Sequence, residues 1–182
     1  MTDPTYEQVA FRFRNDDGSE AAATWTAIIN TDISQNPNNG WNQRLRFDIL
    51  NDNNRNESNL SLEYEYSYNT GAWTSITGAS SVIRGYDSSF LTDAEDCTQI
   101  ISAGGFSADN DGVTEDGTVI VPSFSRNDRI ETELSYYLVE ADVAPGDTID
   151  VRVISTAGYS ITYTNTPQIT VTAQRRIVIG HA

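Results

Sequence analysis

Lysine is absent from this chain. All 11 basic residues are arginine, set against 26 aspartates and glutamates, and the formal net charge is −15. A nucleic-acid binder needs a basic patch that releases counterions from the phosphate backbone. Here the arginines are spread along the chain without a cluster, which argues against DNA, RNA or an anionic membrane as partner. The missing lysine has two readings. A GC-rich genome favours arginine codons, and adaptation to high salt favours acidic side chains over lysine. Salt of about 1 M shortens the Debye length to about 3 Å, so a saline host would screen most of the self-repulsion.

Other absences exclude chemistry. Cys97 is the single cysteine, so no internal disulfide can form. It reads as a small buried hydrophobe. His181 is the single histidine. A Ser-His-Asp triad, a Cys-His pair or a Cys/His zinc site therefore has no basis within one chain. No Gly-rich phosphate loop follows a strand. No stretch approaches the roughly 20 apolar residues of a membrane helix. The opening MTDPTYEQ has neither a basic region nor an apolar run, so no signal peptide is expected and folding in a cytoplasm is.

What is present is alternation with period two, the mark of half-buried strands. Val9, Phe11 and Phe13 alternate with Ala10, Arg12 and Arg14. Leu45, Phe47 and Ile49 alternate with Arg44, Arg46 and Asp48. Leu60 to Tyr68, Leu134 to Leu138, Ile149 to Val153, Ile161/Tyr163 and Ile169/Val171 continue the pattern. Turn clusters rich in Asn, Asp and Gly separate these runs, including NDDGS (15–19) and NDNNRNESN (51–59), the latter read as a long exposed hairpin loop. The best helical candidate is Leu91–Ile101, with Thr92 and Glu95 spaced as a capping box, although a strand ending in Ile100-Ile101 fits equally.

Eight or nine such strands predict an all-β fold, an antiparallel two-sheet β-sandwich (Ig-like or jelly-roll-like), with a closed barrel as second choice. The predicted organisation is a sandwich domain over 1–173 and a C-terminal arm or last strand over 174–182. In TAQRRIVIGHA, Arg175 and Arg176 precede the apolar Ile177, Val178 and Ile179. Such a segment either completes its own sheet or pairs with a neighbour's open edge.

Three side-chain constellations stand out. Asp109 and Asp111, with Asp116 behind, resemble half of a calcium loop, but the third ligand before the Gly and the terminal Glu are missing. A solvated turn is the simpler reading, and no cofactor is expected beyond a structural calcium there. Trp25, Trp41 and Trp73 suit either core filling and strand pairing or stacking on sugars; the former is preferred. Arg12/Arg14 and Arg44/Arg46 form two basic strand faces, and Glu63/Glu65 and Glu131/Glu133 two acidic ones. As sheet neighbours they pair across the ladder; otherwise they are available to another subunit. Paired carboxylates are too numerous in an acidic chain to point to a glycosidase.

FRFRNDDGSEAAATW resembles the opening of a group of tailed-virus virion proteins, in which an FRFR strand runs into NDDGSE. YEYSYNTGAWTSI (64–76), VIRGYDSSFLTD (82–93), ELSYYLVEADVAPGDTIDVRV (133–153) and TNTPQITV (164–171) are similar to the same group, in order. The resemblance implies a non-enzymatic β-sandwich component of a virion assembled in the host cytoplasm, on head or tail, and carries over no functional residue. The function expected is capsid decoration or cement, as a homo-oligomer contacting the major capsid protein or other virion proteins. Alternatives are a tail component, or a receptor- or glycan-binding module of a fibre or adhesin. The expected interface residues are Arg12, Arg14, Arg44, Arg46, Arg175, Arg176, Ile177 and Ile179.

Overall fold

The computed structural model describes residues 5–37, 41–52, 55–115 and 117–173. Twelve strands follow in order: β1 (Thr5–Asn15), β2 (Ile33–Gln35), β3 (Gln43–Asn51), β4 (Glu57–Tyr68), β5 (Trp73–Ser75), β6 (Ile83–Gly85), β7 (Val113–Thr114), β8 (Val119–Phe124), β9 (Arg129–Leu138), β10 (Thr148–Ser155), β11 (Ser160–Tyr163) and β12 (Gln168–Val171). Among the described residues the one helical element is a 3-10 turn, Glu140–Asp142.

The strands form two sheets. Sheet A runs β11-β1-β3-β9-β6, with β7 also on β9; sheet B runs β2-β12-β10-β4-β5, with β8 also on β4. The all-β two-sheet sandwich is thus the observed fold. Its sheets are mixed and not purely antiparallel: β1 with β11, β12 with β2, and β7 with β9 are parallel pairs. The parallel pairs arise because β2, β7 and β11 are short pieces delivered to their sheets by loops, without hairpin turns.

Period-two patterning places one apolar stripe of each sheet in the interlayer. Sheet A contributes Phe11, Phe13, Leu45, Phe47, Ile49, Ile130, Leu134, Tyr136 and Leu138; sheet B contributes Leu60, Leu62, Tyr64, Tyr66, Ile149, Val151, Val153, Ile169 and Val171, all buried. Each such side chain contributes roughly 1.5–3 kcal/mol through burial. Phe47 and Tyr64 meet across the layers at 5.6 Å between ring centroids. Some of the polar groups admitted here have partners: Tyr136 Oη donates to Gln35 Oε1 at 3.0 Å, and Gln8 Oε1 accepts from Val153 N at 2.9 Å. Tyr6 Oη and Tyr64 Oη are buried without one among the described residues.

Three local expectations change. A β-bulge at Val9 separates Gln8, opposite Ile49, from Ala10, opposite Asp48. The extra residue shifts the phase, so Tyr6 and Gln8 turn inward together with Phe11 and Phe13, while Val9 falls out of the stripe. NDNNRNESN is no hairpin loop. It carries the chain from β3 in sheet A to β4 in sheet B, and buried Asn51 anchors the corner by donating from Nδ2 to Phe124 O and Ser125 O. Residues 91–101 form neither helix nor strand. Glu95 Oε2 accepts from Thr92 N as a capping box would, but Ala94 sits at φ +60° and the turn stops there.

Candidate functional site

Sheet A is buried on both faces. Along β3, Gln43 to Ile49 are all buried, and along β9, Ile130 to Tyr136 are. The second face carries Arg14, Arg44, Arg46, Asp48, Glu131 and Glu133. The β-ladder sets the charges side by side, Arg46 opposite Glu133 and Asp48 opposite Glu131. Loops from 16–30 and 86–112 close over them.

Glu133 is the centre. Its Oε2 accepts from Arg14 Nη1 at 2.7 Å, its Oε1 from Arg44 Nη1 at 3.3 Å, and Arg46 Nε lies 3.0 Å from Oε2. The side chains of Glu133 and of all three arginines are 0% exposed. Arg44 also donates from Nε and Nη2 to Asp16 Oδ1, at 2.7 and 2.6 Å, and from Nη2 to Gly18 O at 2.6 Å. Arg14 donates to Glu20 O and Ala23 O, and Arg46 pairs with the Glu20 carboxylate.

Four carboxylates (Asp16, Glu20, Glu131, Glu133) face three guanidiniums, and backbone N–H groups hold the excess charge. Glu131 Oε1 accepts from Ile100 N, Ile101 N and Ser102 N at 2.8, 2.8 and 2.9 Å. Glu20 Oε1 accepts from Thr98 N at 2.7 Å. This use of consecutive N–H groups is why 91–101 cannot continue as a helix, which would turn them toward its own carbonyls.

Burial opposes the charge on Arg46, but the surrounding Glu133, Glu20 and Glu131 outweigh it and hold its pKa above the ordinary value. Burial pushes the Cys97 thiol up to about 12, with Arg46 pulling it down and Glu133 raising it. The buried cysteine expected from sequence is thus an un-ionised thiol beneath the loops. Gly112 belongs to the same packing. A Cβ there would stand 2.4 Å from Glu131 O and 2.9 Å from Cys97 Sγ.

The expected interface residues divide accordingly. Arg14, Arg44 and Arg46 are turned inward and cannot meet another chain, because their side chains are fully buried and ion-paired beneath the loops. Arg12 is half-buried, donating from Nε to Ala27 O at 2.8 Å and stacking on Trp25 at 4.1 Å. Arg175, Arg176, Ile177 and Ile179 lie outside the described residues, as does the 174–182 arm. Glu65 pairs with Arg152 on the open face of sheet B, Nη2 to Oε2 at 2.6 Å.

Of the calcium candidates, Asp109 and Asp111 do come together, joined by Asp96, whose participation the sequence spacing did not signal. Asp96 Oδ1 accepts from Asn110 N at 2.8 Å and Asp111 N at 3.0 Å, so its place in the cluster is that of a loop staple. Asp116 lies outside the described residues.

None of the three tryptophans fills the core. Strand pairing does hold for two of them: Trp73 opens β5 opposite Ser67, and Trp25 forms an isolated bridge with Arg14. Both carry arginines on their rings: Arg12 and Arg14 at 4.1 and 4.6 Å over Trp25, and Arg152 at 4.0 Å over Trp73. Trp41 is 57% exposed. It lines a surface depression of about 300 Å³ with Asn15, Asp16, Asp17 and Asn42.

No protein-family model matches the sequence. A search of curated proteins returns no match.

Proposed function

We propose that this protein is a non-enzymatic structural component of a tailed-virus particle, a capsid decoration or cement protein that binds the shell and other virion proteins. One observation carries the reading. In the segment that resembles virion proteins, FRFRNDDGSEAAATW, four charged residues serve internal fastening. Arg14 holds Glu133 and the loop carbonyls, Asp16 holds Arg44, Asp17 accepts from Thr24, and Glu20 holds Arg46 and Thr98. A motif devoted to rigidity suits a protein whose work is to add a stiff, well-packed body to an assembly.

The acidic, lysine-free composition goes with a saline host, where the repulsion among surface carboxylates is screened. The decisive experiment is mass spectrometry of purified particles, followed by a particle reconstruction. The chain is expected at high copy number on the head. Particles that lack it overturn the proposal, and a location on the tail moves it to the second member of the same class.

A further inference from the structure

The three tryptophans share a pattern that is complete at two of them. At Trp73, Arg152 lies over the ring at 4.0 Å and pairs with Glu65 at 2.6 Å. At Trp25, Arg14 lies over the ring at 4.6 Å and pairs with Glu133 at 2.7 Å. At Trp73, and at Trp25 through Arg14, a guanidinium on the indole is held by a carboxylate, a combination of cation–π attraction and charge-assisted hydrogen bonding. The nearer Arg12, 4.1 Å over Trp25, is held by Ala27 O instead.

Trp41 has the ring and the carboxylate but no guanidinium. Among the described residues its ring has no aromatic or cationic partner, and Asp16 and Asp17 line the same depression. Asp16 is committed to Arg44, Ser88 and Tyr86. Asp17 is exposed, and among the described residues its side chain accepts from Thr24, through N and Oγ1, and from its own backbone N–H. A carboxylate offers about four acceptor positions, so Asp17 retains capacity for an incoming donor. The Thr24 hydrogen bonds also hold its carboxyl below the usual range, which keeps it anionic. Asn42 also lines the depression, and its side chain makes no hydrogen bond among the described residues.

We propose that the Trp41–Asp17 depression is a receptor for an arginine side chain of a basic partner chain. The guanidinium would lie over the indole face and donate to Asp17, completing the arrangement seen at Trp25 and Trp73. Arginine is favoured over lysine because its planar fork stacks on a ring while donating in the plane.

No described arginine supplies the donor, and a basic partner chain is its proposed source. Among the described arginines, Arg126 alone is exposed with no partner for its guanidinium. It sits in the β8–β9 turn beside Asn51, at the end of β3, whereas Trp41 precedes the start of β3. Those nine residues of strand separate them by about 30 Å. The Asp17 carboxylate gives the depression a local negative charge that suits a basic partner.

The site is tested on the full chain by following the three tryptophan indole N–H signals by NMR. N-acetyl-arginine methylamide, its lysine counterpart and a methyl hexoside are titrated in parallel. Only the Trp41 signal is expected to move with the arginine probe, with a roughly millimolar dissociation constant, as suits one exposed side chain. Asp17→Asn is expected to weaken binding about threefold or more. Trp41→Ala is expected to abolish it while the Trp25 and Trp73 signals stay in place and report an intact fold.

An immobile Trp41 signal overturns the proposal. So does an equal response to lysine, a saturable response to the hexoside alone, or self-association that Trp41→Ala abolishes. None of these outcomes depends on whether the chain is found in virus particles, so the two proposals fail separately.

Discussion

Glu133 illustrates how unequal single residues are here. It faces Arg14, Arg44 and Arg46 in a dry layer, and its neutralisation leaves three buried cations short of one counter-charge. Breaking a buried ion pair from one side costs about 3–5 kcal/mol, far more than the pair is worth relative to apolar packing. Glu133→Gln is therefore expected to lower stability by about 3 kcal/mol or more in urea unfolding. Arg152→Ala, on the open face of sheet B, is expected to cost about 1 kcal/mol or less. Equal losses would mean that the network is wetter than its geometry implies.

Asp48 supplies a pH dependence. Burial pushes its carboxyl up to about 6; Arg129 pulls it down, and Glu131 and Glu7 raise it further. A carboxyl with a folded pKa above its unfolded value of about 4 stabilises the fold in its protonated form. That contribution is complete below about pH 4 and is lost as pH rises through about 6. Asp48→Asn cannot titrate. Its stability relative to the parent protein should therefore rise between pH 4 and 6.5, by a few kcal/mol at most, and level off above. A difference that stays constant across urea titrations at pH 4, 5, 6 and 7 would contradict the assignment.

At the scale of elements, loop 86–112 is held to sheet A chiefly by polar anchors. Three consecutive amides converge on Glu131 Oε1, and Thr98 donates to Glu20. Glu131→Gln keeps an acceptor but removes its charge, and charge-assisted bonds are roughly twice as strong as neutral ones. The expected outcome is faster hydrogen exchange at Ile100, Ile101 and Ser102, with Ile149, Val151 and Val153 in β10 unchanged. Uniform loss of protection would mean that the loop and the sandwich open as one unit.

This loop also marks how far the sequence could be read. The apolar stripes of β3, β4 and β10 were legible from alternation, as were Phe11 and Phe13 in β1 and Leu134 to Leu138 in β9, and so was the possibility that arginine and glutamate faces are sheet neighbours. The six-residue strand β8 (Val119–Phe124) was not read from the sequence. Burial of the charged face was not. Arg44 and Arg46 look like the watered side of an ordinary strand, because what covers them comes from residues 16–30 and 86–112 and has no periodicity of its own. The bulge at Val9 was equally hidden, since one unpaired residue shifts the phase without any local turn signal. Nor did spacing place Asp96 beside Asp109 and Asp111, or single out Trp41 as the tryptophan left bare.

At the scale of the molecule, two kinds of electrostatics coexist. The surface is crowded with carboxylates that repel one another, and salt relieves this; the network under the loops is buried and is screened much less by mobile ions. Stability of the parent protein is expected to rise between about 0.05 and 1 M NaCl. The loss caused by Glu133→Gln should stay the same across that range. A penalty that shrinks with salt would place the network in contact with solvent.

The covered face of sheet A also sets an order of events in time. Its partners are far apart along the chain: Arg14 and Glu133 are separated by 119 residues, and Arg46 and Glu20 by 26. The loops have nothing to close on until β1, β3 and β9 are aligned, so shedding the last water from the ions follows assembly of the sandwich. Contacts that form after the rate-limiting step leave the folding rate alone and govern the escape rate. Glu133→Gln should therefore shift the unfolding arm of a denaturant chevron and barely move the folding arm. The ion network would then act as a latch on the lifetime of the folded state more than as a guide toward it.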